Sequence, residues 1–372
     1  MRSHRGCCTR RIFSSMTHRL TACAAVLWLG LVSPGAAEAQ PPCERLSGSV
    51  FRDVHWKHSQ ASHPLVAQVL EGDRPIAIER DTCARSPLQQ LIVELWRALA
   101  DGGLVLLGEV HDNPEHHLVR QDMLWPRLDR LVATQGVRPA AVFEHIRADQ
   151  QGQINRFYGM ASRSRRLWRA PDLLRILDWA NSGWPPAQHF YPVFDGALWA
   201  RMRIYPGDPA RERIKALARG DAAGLTVAER GWLEAAEALP APLVEVLKAE
   251  LAASHCGVVS ADAFAGMSLA QRYRDAHLAN ALVKAAGTHG SAVLMTGNGH
   301  VRTDRGVPWY LRRAAPQRKV LAVMLLEVEE GKTDAQAYLA RDTDGRPAAD
   351  YTLFTPPHPR PDPCERFRQR RQ

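Results

Sequence analysis

Apolar positions cluster into short unbroken runs: Leu104–Leu107, Ala140–Phe143, Ala292–Thr296 and LAVMLLEVEE from Leu321. Each run opens with at least four consecutive apolar residues, too few for a typical helix. This is the pattern of strands buried on both faces of a parallel sheet. Between them the pattern changes to helical spacing. Leu88, Leu91, Ile92, Leu95 and Leu99 predict a helix over Ser86–Ala100, with Ser86 as cap and Pro87 in the first turn. Asn113 caps a second helix that opens at Pro114 and continues through Leu118, Leu124, Leu128 and Leu131, with Pro126 as a kink. Strand, helix and strand within about forty residues make a βαβ unit with parallel strands.

Downstream, residues 149–286 are helical in pattern, broken at Ser182–Pro186, Gly220–Gly224 and Pro240–Pro242; Phe190–Phe194 reads as a third strand. Upstream, Val66–Leu70 and Ile76–Glu79 flank Gly72-Asp73 as a hairpin. The fold class expected is α/β, a largely parallel central sheet flanked by helices with an inserted smaller helical subdomain. The expected divisions are 1–39 as a signal peptide, 40–85 as an irregular and hairpin segment, and 86–328 as the α/β domain. The helical insertion covers about 149–286, and 329–372 is a Pro-rich tail wrapping the surface.

Composition alters this picture at the ends of the chain. Of 372 residues, 45% are hydrophobic and 23% charged, an ordinary globular balance. The first forty read as an export signal: arginines up to Arg19, the apolar run Leu20–Val32, then Ala37-Glu38-Ala39. Met16 is an alternative start, and Arg10-Arg11-Ile12-Phe13 resembles a twin-arginine signal. Cys23 precedes the apolar run instead of ending it, which argues against a lipid anchor. Export to the periplasm is therefore expected. Cleavage after Ala39 removes Arg2, Arg5, Arg10, Arg11, Arg19 and Glu38, lowering the net charge from +9 to +5. So mild a charge, with no basic–aromatic interleaving, does not argue for nucleic acid. No later run reaches the ~18 apolar residues of a membrane span. Four cysteines remain, Cys43, Cys83, Cys256 and Cys364; the Pro-rich settings of the first and last suggest Cys43–Cys364, leaving Cys83–Cys256.

The chemistry sits where the strands end. Glu109 and His111 follow Leu104–Leu107, Glu144 follows Ala140–Phe143, and His300 follows Ala292–Thr296 through Gly297-Asn298-Gly299. In a parallel sheet these positions gather on the carboxyl edge, where α/β proteins bind ligands. A helix start carrying His116 and His117 points back at the same edge. Glu109, His111, His117, Glu144 and His300 form a candidate set for a divalent metal. Glu109, His111, Glu144 and His300 also suit general acid–base catalysis. Each alone reads more simply as a solvated or backbone-bonded loop residue; their convergence is what argues for a site. HExxH, a Walker A loop, CxxC and CxxCH are absent, and Gly266–Ala270 misses GxSxG by its last residue.

GEVHDNPEHH, VFEH, SHCG (Ser254–Gly257), AQRYRDAHLA (Ala270–Ala279) and TGNGHVRTDRGVP (Thr296–Pro308), in this order over roughly residues 85–328, resemble the ChaN family. These are haem-binding, iron-uptake-associated proteins of the Tiki/TraB superfamily, which also includes erythromycin-esterase-like enzymes. The resemblance implies an α/β core, non-covalent haem and a role in haem or iron acquisition, passing haem to an outer-membrane receptor or uptake system. A homodimer with a cofacial haem pair is a further implication. Tyrosine is the iron ligand it suggests, with Tyr158, Tyr205 and Tyr273 as candidates, His277 beside them, and Arg274 for the propionates. From the superfamily comes the alternative of a metal-dependent hydrolase using Glu109, His111, Glu144 and His300.

Overall fold

The computed structural model describes residues 62–79, 84–124, 138–235, 239–254, 256, 261–362 and 364–365. Eight strands form one sheet: β1 (Val69–Glu71), β2 (Arg74–Pro75), β3 (Leu104–Leu107), β4 (Ala140–Arg147), β5 (Arg203–Asp208), β6 (Ala292–Met295), β7 (Val320–Glu327) and β8 (Tyr351–Thr355). Their spatial order is β2-β1-β8-β7-β3-β6-β4-β5. From β8 to β5 every pairing is parallel; only the β1–β2 hairpin and its junction with β8 are antiparallel. The α/β class expected from the apolar runs is the fold found.

Helices cover both faces. The first is α1 (Pro87–Ala100), capped by the Ser86 hydroxyl, which accepts from the Gln89 amide. Then come α2 (Pro114–Leu124), α3 (Gln151–Ser162), α4 (Ala170–Ile176), α5 (Ala187–Trp199), α6 (Arg211–Ala218), α7 (Val227–Ala235), α8 (Ala241–Ser254) and the long α9 (Ala261–His289). Two short ones close the set, α10 (Asn298–Val301) and α11 (Val307–Ala314). Alternation along β3 shows how the faces divide. Val105 and Leu107 join a core with Leu91, Leu95, Phe190 and Phe194 from α1 and α5. Leu104 and Leu106 join a second core with Leu278, Leu282 and Leu311 from α9 and α11. A strand buried on both faces must be apolar at every position, which explains the unbroken runs. Among the described residues no helix is long and apolar enough to cross a membrane.

Several expectations are corrected. Phe190–Phe194 lies in α5, not in a strand; Phe190, Val193, Phe194 and Ala197 make one buried helical stripe despite Pro192 within it. The strand of this region is β5, whose Pro206, Gly207 and Asp208 carry the letters of a turn. The tail does more than wrap the surface, because β8 is fully buried in the sheet. Cys364 bonds Cys256, with Cα atoms 5.5 Å apart, so neither expected disulfide pairing holds. A shared Pro-rich setting carried no information about distance. Cys43 and Cys83, Pro126, Leu128, Leu131 and the signal segment lie outside the described residues.

Candidate functional site

Leu107, Met295 and Phe143 are in register across β3, β6 and β4, so the residues just beyond them share one edge. Gly108 ends β3 where any Cβ would press on the Val323 carbonyl oxygen at 2.9 Å, so the chain can turn there only without a side chain. Asn113 caps α2, its Oδ1 accepting from the Glu115 amide at 2.9 Å. Its Nδ2 donates to Glu327 Oε1 at 2.6 Å, fixing the helix start over the edge.

One group of side chains surrounds Glu109 on the α2–α5 face. Its Oε1 accepts from His111 Nδ1 and His145 Nε2, both at 2.7 Å. Its Oε2 meets the Arg120 guanidinium, which also donates to His117 Nδ1 at 2.7 Å. His117 Nε2 donates in turn to the His111 carbonyl at 3.1 Å. Burial holds these rings neutral: His117 falls to about 3, His145 well below its ordinary value, and His111 is lowered despite the Glu144 carboxylate nearby. Burial pulls even Arg120 down to about 9. Aromatic rings close the group, with Phe190 4.0 Å from His117, and Trp184 4.7 Å from His145 and 4.8 Å from His111.

A second group surrounds Glu144 on the α9 face. Neighbouring residues of a strand point to opposite sides, so Glu144 faces α9 while His145 faces α5. Glu144 Oε2 accepts from Thr296 Oγ1 at 2.6 Å and the Gly297 amide at 2.7 Å. Its Oε1 accepts from Arg274 at 2.6 Å and lies 3.4 Å from His300 Nε2. Burial would raise the carboxyl, but His300 and Arg274 hold it well below the carboxylate range. His300 also meets Asp275 at 2.6 Å through Nδ1. Burial opposes its charge, yet Glu144 and Asp275 together raise it to about 9, so it stands as an imidazolium. Arg274 is shared with Asp208 at the end of β5, at 2.8 Å.

The two groups meet at His111. Its Nδ1 is held by Glu109, and its Nε2 lies 4.0 Å from Glu144 Oε1 without a hydrogen bond. With a side chain 36% exposed, it is the member that reaches solvent. Gly297 makes this approach possible, since a Cβ there would sit 2.9 Å from His111 Nε2.

All of Glu109, His111, His117, Glu144 and His300 therefore converge at the edge. His116 is taken up in the fold instead: its Nδ1 accepts from the Val110 amide and its Nε2 donates to Thr355 Oγ1. Sequence reasoning passed over His145, Arg120, Asp275, Asp208 and Thr296. The alternation of VFEH could have revealed His145, and Arg120 lies one helical turn beyond His117. Glu109, His111 and His145 offer ligand atoms within 4.8 Å of one another, a carboxylate-and-imidazole set suited to a divalent transition metal.

Of the remaining candidates Arg274 belongs to the edge, and the others are dispersed. Tyr273 is buried and donates to Glu229, which with burial raises its phenol above the usual range. Arg274 is engaged by Glu144 and Asp208. His277 meets the Gly207 carbonyl through Nδ1 at 2.7 Å. The Tyr158 hydroxyl accepts from the Ile204 amide at 3.0 Å, and Arg203 lies over its ring. Tyr205 is half-buried, its hydroxyl 2.9 Å from His289 Nε2.

A family model described as haem-binding uptake, Tiki superfamily, ChaN matches residues 95–311, which span α1 to α11 and every residue of the edge. Among solved structures, a ChaN protein of Campylobacter jejuni described with cofacial haem binding is similar in fold. It is 18% identical, with a TM-score of 0.55, covering 77% of this chain and 95% of its own. Two further structures resemble the chain more loosely. A Bacillus cereus protein is 15% identical over 73% of this chain and 74% of its own, TM-score 0.31. A succinoglycan biosynthesis protein is 12% identical over 70% and 73%, TM-score 0.33. No curated protein matches the chain.

Proposed function

The chain belongs to the ChaN family of haem-binding uptake proteins, Tiki superfamily, and from that premise we propose that it binds haem non-covalently, as cargo, outside the cytoplasm. The family match over residues 95–311 carries this reading. The absence of CxxCH argues against covalent attachment. The basic and apolar N-terminus ending in Ala37-Glu38-Ala39 supports export, and so does the Cys256–Cys364 disulfide, which suits an oxidising compartment such as the periplasm. Haem or iron acquisition, with transfer to an outer-membrane uptake system, is the role that follows.

Two cavities flank α11, and neither suits the whole porphyrin. One of about 280 Å³, lined by Trp232, Tyr310 and Val283, falls below the ~300–1,000 Å³ typical of ligand pockets. The other, about 520 Å³, sets Asp304, Asp342, Asp344 and Asp350 against Arg312 and Arg346, a mixed lining with no cationic bias toward propionates. A surface-bound haem shared between two copies of the chain fits these observations better, in line with the cofacial haem described for the Campylobacter jejuni protein. Of the candidate ligands, Tyr205 has the most suitable chemistry. Its hydroxyl lies 2.9 Å from His289 Nε2, a hydrogen-bond partner that would receive the phenol proton if haem iron were bound there. Hemin titration of the purified protein should give a defined Soret shift that saturates, and Tyr205→Phe should alter it. A spectrum indistinguishable from hemin on an unrelated apolar protein would sink the reading.

The edge cluster favours a second reading, a metal-dependent hydrolase. A divalent ion held by Glu109, His111 and His145 would supply an activated water. Glu144 would anchor the substrate side through its tie to Gly297, and His300, as an imidazolium between two carboxylates, would donate a proton to a leaving group. Elemental analysis of the sample used for hemin titration separates the readings: this one requires bound metal, lost in His111→Ala.

A further inference from the structure

Residues 163–169, Arg-Ser-Arg-Arg-Leu-Trp-Arg, form the exposed turn between α3 and α4. Trp168 packs inward, its ring 5.7 Å from Phe157 and at the edge of the α1–α5 core. Leu167, next to it, is consequently directed outward and is 71% exposed. One exposed leucine is ordinary; its surroundings are not. Met160, 41% exposed, lies in the last turn of α3. Arg166 and Arg169 flank it, each neutralised by a buried aspartate, Asp172 and Asp195. Arg163 and Arg165 are exposed, and among the described residues their guanidinium groups have no partner. The same is true of Arg156 on α3.

We propose that this turn docks the protein on an anionic phospholipid surface, with Leu167 inserted among the acyl chains and Arg163 and Arg165 on the headgroups. Charge complementarity identifies the occupant class: the unpaired cations Arg163 and Arg165 stand on a turn whose nearby acids, Asp172 and Asp195, are already paired. The outward leucine favours a bilayer over an acidic protein, because it offers one apolar wedge and no apolar groove. Trp168 anchors the turn, so little ordering cost attends binding. Each arginine near an anionic bilayer adds attraction that salt screens, and the buried apolar area adds to it. The inference is independent of the haem reading.

Co-sedimentation of the full chain with vesicles tests it. Vesicles of phosphatidylcholine with one-third phosphatidylglycerol should bind the protein at low salt and release it at high salt, and pure phosphatidylcholine should not bind. The double variant Arg163→Glu, Arg165→Glu should weaken binding about tenfold or more. Leu167→Ser should weaken it roughly threefold. Thermal unfolding should be unchanged in both, since these side chains support nothing in the fold. Equal binding to neutral vesicles, or no response to either variant, overturns the proposal. Capture by immobilised polyglutamate without vesicle binding also overturns it, in favour of an acidic protein.

Discussion

Glu109 and Glu144 lie at the same sheet edge on either side of β6, both buried and both beside imidazoles, yet their surroundings differ in charge. Around Glu109 three histidines are neutral, and the single counter-charge is Arg120. Around Glu144 the histidine is charged and the arginine is shared between acids. The difference arises from company. Glu144 and Asp275 together outweigh burial at His300, whereas burial outweighs the attraction of Glu144 at His111 and His145. The sheet keeps the groups apart by sending Glu144 and His145 to opposite faces, and His111 is the bridge between them.

Breaking the single counter-charge should have the largest effect. Arg120→Met leaves the buried Glu109 carboxylate without its cation and should cost about 3–5 kcal/mol in denaturant unfolding. A loss below about 1 kcal/mol would mean that Glu109 is protonated and the contrast false. Titration gives the next effect. The folded value of His300, about 9, lies above the 6.5 of an ordinary histidine. Its stabilisation is therefore complete below pH 6.5 and lost as pH rises through 9, by up to about 3 kcal/mol. His117, at about 3 in the folded protein, works in the opposite sense: its contribution is present above pH 6.5 and lost as pH falls toward 3. NMR titration of Glu144→Gln should show the His300 resonance falling toward neutral pH while His117 is unmoved; parallel movement of both would merge the two groups into one. Gly297→Ala should have the smallest effect, about 1–3 kcal/mol, by displacing His111. It should also alter metal or hemin binding if His111 takes part, and leave His300 unaffected.

Much of this site was legible because strand ends in a parallel sheet are forced together. The runs at β3, β4, β6 and β7 gave four strands, and their terminal Glu and His residues gave the edge. Missing from that reading was everything brought by elements whose pattern misleads. Pro206 and Gly207 disguised β5 and with it Asp208. The HFYPVF stretch is apolar enough for a strand, yet tertiary packing made it a helix. Asp275 lies in α9, where a carboxylate beside an arginine reads as a surface ion pair; only the packing of that helix across β4 and β6 turns it toward His300. The tyrosines carried no positional signal, since a phenol's partner cannot be read from its neighbours in the chain.

The position of β8 has a consequence for the order of assembly. The β1–β2 hairpin, near the start of the described residues, joins the sheet through β8, near their end. As the chain emerges from synthesis, the hairpin has nothing to pair with until Tyr351–Thr355 appears. Closure therefore awaits nearly the whole polypeptide, a long-range pairing that slows folding. Truncation before Tyr351 should release the first hairpin together with the last strand, although some 280 residues separate their sequences.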